Sequence, residues 1–242
     1  DVYKRQYIAR VDNKQFAVAD GKKEKQYYGI DQSTLIFSPD SKRIAYVAWT
    51  GNKWLVVVDG KEENQYDGIA KPSLIFSPDS KRVAYIAIVG NKQFVVVDGK
   101  EGKQYYGITV PSFSPDSKRV AYGAQEGKKW FVVVDGREEK RYDGITVPNF
   151  SPDSKRVAYV AQEGKKQFVV VDGKEEKRYD HIVEGSPIFS PDSKRVAYGG
   201  VTEVKKSFVF TDKKLFAVVD GKEEKKYDFR GGLIFSPDSK RV

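Results

Sequence analysis

Apolar residues come along this chain in short bursts rather than in long amphipathic arcs. From Ile75 to Ile108 the text runs IFSPDSKRVAYIAIVGNKQFVVVDGKEGKQYYGI, in which clusters of Val, Ile, Phe and Tyr are broken by polar segments every few residues. Clusters of this length and composition are strand chemistry and carry no helical period. Four strands are expected: a short strand a ending at Phe-Ser, strand b as RVAYIA, strand c as QFVVVD and strand d as EGKQYYGI. Strand c, apolar at nearly every position, needs cover on both faces, whereas the Lys and Glu of strand d suit an exposed edge.

Each break has a mechanism. Ser-Pro-Asp-Ser sets proline at the turn position that wants φ near −65°, followed by a small polar acceptor, which suits a tight a-to-b turn. Asp-Gly after the valines is a strong hairpin signal, because a primed turn needs positive φ. It recurs at Asp20, Asp59, Asp98, Asp135, Asp172 and Asp220.

The unit repeats. FSPDSKR begins at Phe37, Phe76, Phe113, Phe150, Phe189 and Phe235, so the period is close to 40 residues until the last interval, which is longer. A four-stranded antiparallel unit of this period, covered on both faces by its neighbours, is a propeller blade. The expected fold is all-β: a six-bladed β-propeller of four-stranded antiparallel blades. YIARVDNKQFAVADG from Tyr7 aligns with YVAWTGNKWLVVVDG from Tyr46, so the first blade has b, c and d, and residues 233–236 are expected to supply its strand a. The ring would then close by pairing of N- and C-terminal strands. Before Tyr7 the alignment fails. DVYKRQ is what part of a common transposase sequencing adapter encodes, so residues 1–6 are read as a processing scar on a gene fragment and 7–242 as one propeller domain.

The run FSPDSKRVAY followed by a VVVDG hairpin resembles the WD-like repeat of TolB-type proteins and of the propeller domains attached to prolyl oligopeptidases. In that family Gly usually stands where this chain has Ser41, Ser80, Ser117, Ser154, Ser193 and Ser239, which leaves open which residue of the turn takes a positive φ. The resemblance implies the fold, and an exported, periplasmic or extracellular setting. It brings no catalytic residues, because the triad of those peptidases belongs to a separate hydrolase domain, and a fold alone does not assign a function.

Strand alternation sends the a-to-b and c-to-d turns to one side of a blade and the b-to-c and d-to-a loops to the other. The first set is uniform and the second varies. Variation on a rigid scaffold marks the b-to-c and d-to-a side as the expected binding face. Its candidate residues are Trp49, Trp54, Trp130, His181, Glu184, Lys205, Lys206 and Phe208, the last three in a sixth b-to-c segment long enough to form a protruding hairpin. His181 stands where other units have Gly68, Gly107 or Gly144, with Asp180 and Glu184 near it. That grouping could serve a metal or acid-base cluster, although a surface histidine is the simpler reading. Tyr46, Tyr85, Tyr122, Tyr159 and Tyr198 alternate with alanines and read as packing between blades.

Charge and chemistry narrow the function. The formal net charge is +9, but basic residues fall at both ends of the blades, interleaved with Asp67, Asp143, Asp180 and Asp228, rather than in one stripe. A nucleic-acid partner is therefore not expected. Zero cysteines exclude disulfides, thiolate nucleophiles and cysteine metal sites. No G-x-S-x-G, H-E-x-x-H or Gly-rich phosphate loop is present, so no enzyme activity, cofactor or metal is expected of this chain. No apolar run of about 18 residues could span a membrane. The expectation is a monomeric scaffold for a protein partner. The alternatives are a gating propeller of a larger hydrolase and a propeller that binds a glycan or small ligand.

Overall fold

Each sheet is built around its valine-rich strand c, whose side chains are buried on both faces. Val56 and Val57 point to opposite sides of one sheet, and both are fully covered. The computed structural model describes residues 6–19, 21–205, 211–224 and 233–242. The chain divides into two compact units, Asp1–Pro111 and Ser112–Val242.

In the first unit, strands b, c and d of the first sheet are Gln6–Val11, Lys14–Ala19 and Lys22–Lys23. The second sheet runs Gly29–Phe37, Ile44–Trp49, Trp54–Val58 and Lys61–Tyr66 as a to d. The third has strand a in two pieces, Gly68–Ile69 and Ile75–Phe76, then Val83–Val89, Lys92–Val97 and Lys100–Glu101. In the second unit, Ser112–Phe113, Val120–Glu126, Lys129–Val134 and Arg137–Glu138 form one sheet. The next comprises Gly144–Ile145 with Asn149–Phe150, Val157–Glu163, Lys166–Val171 and Lys174–Glu175. The last comprises His181–Ile182 with Ile188–Phe189, Val196–Lys205, Thr211–Val219 and Lys222–Glu223. The described residues hold strands and turns and no helix, and the fold is all-β with repeated antiparallel blades of propeller type.

One expectation needs correction. The Gly-Ile pair assigned to the end of strand d instead opens strand a of the following sheet, as Gly68 and Ile69 pair with Ile88 and Ala87. A hydroxyl makes this possible by bridging the gap in strand a. The Ser73 Oγ donates to Ala70 O at 2.6 Å and accepts the Ile86 N–H at 3.0 Å. Thr34 does the same at a bulge of the second sheet, donating to Asp31 O at 2.7 Å and accepting the Val47 N–H at 2.9 Å. Among the described residues the first sheet has three strands, and residues 233–236 carry no strand of their own. Residues 1–5 of the presumed scar lie outside the described residues, while Gln6 begins the first strand opposite Ala19.

The core lies between neighbouring sheets. Val47, Val56 and Val58 of the second sheet pack with Tyr66, Val83, Tyr85 and Phe94. In the second unit Val132, Val134 and Tyr142 pack with Tyr159, Phe168 and Val170. Each such side chain contributes about 1.5–3 kcal/mol when fully buried. As expected, the strand b tyrosines are packing residues. Tyr46, Tyr85, Tyr159 and Tyr198 each meet a tyrosine of the preceding blade edge-on, with Tyr66 and Tyr85 centroids 6.3 Å apart and Tyr142 and Tyr159 6.4 Å apart.

Candidate functional site

The uniform side of the blades is tied together by hydrogen bonds from one turn to the next within each unit. In the turn after Phe76, Ser77 Oγ donates to Asp79 Oδ1 at 2.6 Å, and the Arg82 N–H donates to Ser77 Oγ at 2.9 Å. Ser80 takes the left-handed conformation, φ 66°, and its equivalents Ser41, Ser117, Ser154, Ser193 and Ser239 lie between 59° and 66°. A glycine would adopt this backbone without strain. The serine adds a contact that glycine lacks: Ser154 Oγ accepts the Asp116 N–H at 2.9 Å from the turn of the neighbouring blade. The same link joins Asp40 to Ser80, Asp153 to Ser193 and Asp192 to Ser239.

The arginines add to these links. Arg119 Nε donates to Asp135 Oδ2 at 2.8 Å, and its Nη1 reaches Ser154 O at 3.1 Å and Lys155 O at 2.8 Å in the next turn. Its guanidinium also lies 5.3 Å from the Phe150 ring centroid. The other carboxylate oxygen of Asp135 accepts the Val120 N–H at 3.0 Å, fastening the Asp-Gly hairpin to strand b. Asp135 and Gly136 both have positive φ, 51° and 80°, as a primed turn requires. The turn carboxylates are held below the usual range. For Asp116 the largest cause is the Ser114 hydroxyl, followed by the Lys118 N–H. Six cation-rich turns thus serve as mortar between blades.

Part of the opposite side is tied in the same manner. Asp143 sits at a d-to-a corner, accepts the Gly164 N–H at 2.7 Å from the next b-to-c turn and pairs with Lys129 at 2.8 Å. Both contacts lower its carboxyl, the amide more strongly. Asp67 joins Lys53 to the Gly90 N–H, and Asp180 joins Lys166 to the Glu203 N–H. Asp180 is thus held by Lys166 and the Glu203 N–H, and among the described residues no cluster of three metal-ligating side chains forms.

The sequence-derived candidates fall into separate places. In the first unit Trp49 and Trp54 face each other across the b-to-c hairpin, centroids 6.2 Å apart and planes 31° apart. Tyr28, which sequence reasoning missed, joins them with its centroid 6.1 Å from Trp49, at 63°. The signal was readable in part, since Tyr28, like Tyr106, occupies the position that Asp67, Asp143 and Asp180 hold in other repeats. Trp130 belongs to the second unit, where it is half-buried and its backbone exchanges hydrogen bonds with Tyr142 at 2.9 and 2.7 Å. His181 and Glu184 line one cleft of about 490 Å³ with Thr146, Asn149, Gln167 and Ser186. Gln167 Oε1 accepts the Ile182 N–H at 2.9 Å and lies 3.2 Å from His181 Nδ1.

The sixth hairpin extends further than the others. Its ladder continues to Lys205 opposite Thr211, whereas that of the preceding sheet ends at Glu163 opposite Lys166. The Lys205 side chain, Lys206 and Phe208 lie outside what is described.

No family model matches the chain, and no curated protein matches it. Among solved structures it is similar to TolB from Acinetobacter baumannii, at 18% identity over 88% of this chain and 60% of that one, with a TM-score of 0.41. It is also similar to the β-propeller domain of the Trilobed protease from Pyrococcus furiosus, at 16% identity over 67% of this chain and 57% of that one, TM-score 0.47. The Dos1 propeller is a third, at 12% identity over 94% and 68%, TM-score 0.47. The chain thus spans 60% of the first of these proteins and 57% of the second. The structures that this chain is similar to are TolB and other β-propeller domains, among them those of proteases, the kinds that the FSPDSKRVAY repeat resembles.

Proposed function

We propose that the chain is a non-enzymatic propeller scaffold that binds a protein partner through its b-to-c and d-to-a loops, acting as a monomer. The observation that supports this most is the division of labour between the two sides of the blades. Serine, aspartate and arginine side chains of the SPDSKR and Asp-Gly turns are spent on links between neighbouring blades. Repeat-breaking residues gather on the other side, with Tyr28, Trp49 and Trp54 in one unit and His181 and Glu184 in the other. Rigid scaffolds carry recognition on loops of this kind.

The test uses the immobilised full chain as bait, with captured proteins identified by mass spectrometry. Trp49→Ala, Trp130→Ala and a His181→Ala/Glu184→Ala pair should weaken capture of the same protein. Lys118→Glu and Lys155→Glu, on the SPDSKR side, should leave it unchanged. The reverse pattern would refute the assignment of the face.

A further inference from the structure

Three aromatic residues meet at one spot in the first unit. Trp49 stands where other repeats have Arg10, Ile88, Gln125, Gln162 and Val201; Trp54 stands where Gln15, Gln93 and Gln167 occur, with Trp130 its counterpart in the second unit, and Tyr28 has a counterpart in Tyr106. Those glutamines have a structural task, since Gln15 Oε1 accepts the Ile30 N–H at 2.6 Å and Gln93 Oε1 the Ile108 N–H at 3.0 Å. Replacing such a residue by tryptophan gives up a hydrogen bond that the blade uses elsewhere. Packing alone therefore does not call for the cluster.

Tyr28 has a clearer consequence. Where the repeat has aspartate, the carboxylate holds a strand c lysine and a b-to-c turn amide, as Asp67 holds Lys53 and the Gly90 N–H. Tyr28 makes the corresponding two contacts with its ring. Lys14 Nζ lies 5.5 Å from the ring centroid, and the ring covers Gly51 so closely that a Cβ there would sit 3.2 Å from it. Among the described residues Lys14 consequently has no carboxylate partner, whereas Lys53, Lys129 and Lys166 each have one. Lys92, whose partner position is Tyr106, lies likewise on a ring, 3.1 Å from its centroid, but no tryptophan stands beside that pair in the repeat. Among the described residues Arg10, in the same hairpin as Lys14, bonds only the amide oxygen of Asn13. The rings remain open to solvent, Tyr28 at 58% and Trp49 at 36% exposure.

Resting on the reading above, we propose that this corner recognises an acidic peptide segment of the partner. An apolar side chain seats in the angle between Tyr28 and Trp49, and a neighbouring carboxylate takes up Lys14, supplying the anion that the repeat has lost. Aromatic side chains are the usual anchors of an interface centre, and an exposed lysine beside them suits its polar rim. A sugar ring fits less well. The planes of Tyr28 and Trp49 are 63° apart and those of Trp49 and Trp54 31° apart, so no pair offers one flat platform.

The test is fluorescence anisotropy of the full chain with three labelled probes: an Asp/Glu-rich peptide with a central Leu-Phe pair, the same peptide with lysines for the acids, and a hexamer of galacturonic acid. The acidic peptide should bind with Kd on the order of micromolar. Binding should weaken about tenfold or more in Trp49→Ala and in Tyr28→Asp, a change that restores the residue other repeats carry and so should fold. It should weaken likewise in Lys14→Glu, and Lys155→Glu, on the SPDSKR side, should leave it unchanged. Equal binding of the lysine peptide, preference for the galacturonate hexamer, or undiminished binding by Tyr28→Asp would overturn the proposal. So would absence of acidic-peptide binding, and if partner capture still depended on Trp130 and His181, the broader reading would survive that result.

Discussion

The Ser154 hydroxyl accepts the backbone N–H of Asp116 at 2.9 Å from a residue whose φ is 66°. One side chain thus joins two blades while its own backbone holds a conformation that L-residues avoid. The contact weighs a cost against a gain: left-handed backbone is unfavourable by roughly 1–2 kcal/mol, and a buried hydrogen bond returns about 0.5–1.5 kcal/mol.

Substitutions at Ser154 should separate the two. Ser154→Ala keeps the strained backbone, loses the bond and leaves the Asp116 N–H without its acceptor, so urea unfolding should show a loss of about 1–3 kcal/mol. Ser154→Gly also loses the bond but relieves the backbone, and should lie within about 1 kcal/mol of the parent. Equal losses for the two variants would remove backbone strain from the account, and a Ser154→Ala variant as stable as the parent would remove the hydroxyl's assigned role.

Arg119 spans a hairpin aspartate, two carbonyls of the next turn and a ring face. A lysine is a point charge without the planar fork, so Arg119→Lys should lower stability almost as much as Arg119→Gln, by about 1–2 kcal/mol in each case. Chemical denaturation of the two variants checks this. Full retention of stability by Arg119→Lys would show that charge alone matters.

Gly200 occupies the place of Ala87 and Ala161 in other blades, yet a Cβ there would lie 2.6 Å from the Tyr179 ring. The ring has tilted into the space. Tyr179 and Phe216 stand at 44° with centroids 6.3 Å apart, against 72° and 5.5 Å for Tyr142 and Phe168. Gly200→Ala should therefore destabilise by about 1–3 kcal/mol through overpacking. Adding Tyr179→Leu should recover part of the loss, and thermal melts of the single and double variants measure the difference.

Stability should fall at both ends of the pH range. The turn carboxylates of Asp40, Asp116, Asp153, Asp192 and Asp238 are held below their ordinary value, first by the serine hydroxyl of the same turn. A depressed folded value means stability present above the unfolded carboxylate range, near 4, and lost as pH falls through the folded values. At the other end, burial pushes the phenol groups of Tyr66, Tyr122 and Tyr142 up to about 12. Tyr46, Tyr85 and Tyr159 are raised further, again chiefly by burial. These neutral phenols favour the folded state until pH passes the unfolded value, near 10, and the advantage shrinks above it. Circular dichroism should show acid unfolding below about pH 4, which Asp116→Asn blunts, and alkaline unfolding above about pH 10 in step with phenolate absorbance.

Much of this architecture was legible from residue order alone. Strands b and c follow from the period of Val, Ile and Tyr, and the hairpins from Asp-Gly, because adjacent antiparallel strands and two-residue turns are local in sequence. The binding candidates were legible only as departures from the repeat: Trp49, Trp54 and His181 stand out because their neighbours in the alignment differ. The tertiary structure decided what depends on residues far apart in sequence, such as the bond between Asp116 and Ser154, 38 positions apart, that gives the serine its purpose. It also moved Gly68–Ile69 from the end of one blade to the start of the next, since a strand belongs to the sheet whose amides it satisfies. Tyr28 was overlooked for the same reason. Its ring takes over a contact to Lys14 and the turn at Gly51 that a one-dimensional reading assigns to aspartate, and only the folded chain brings those three residues together.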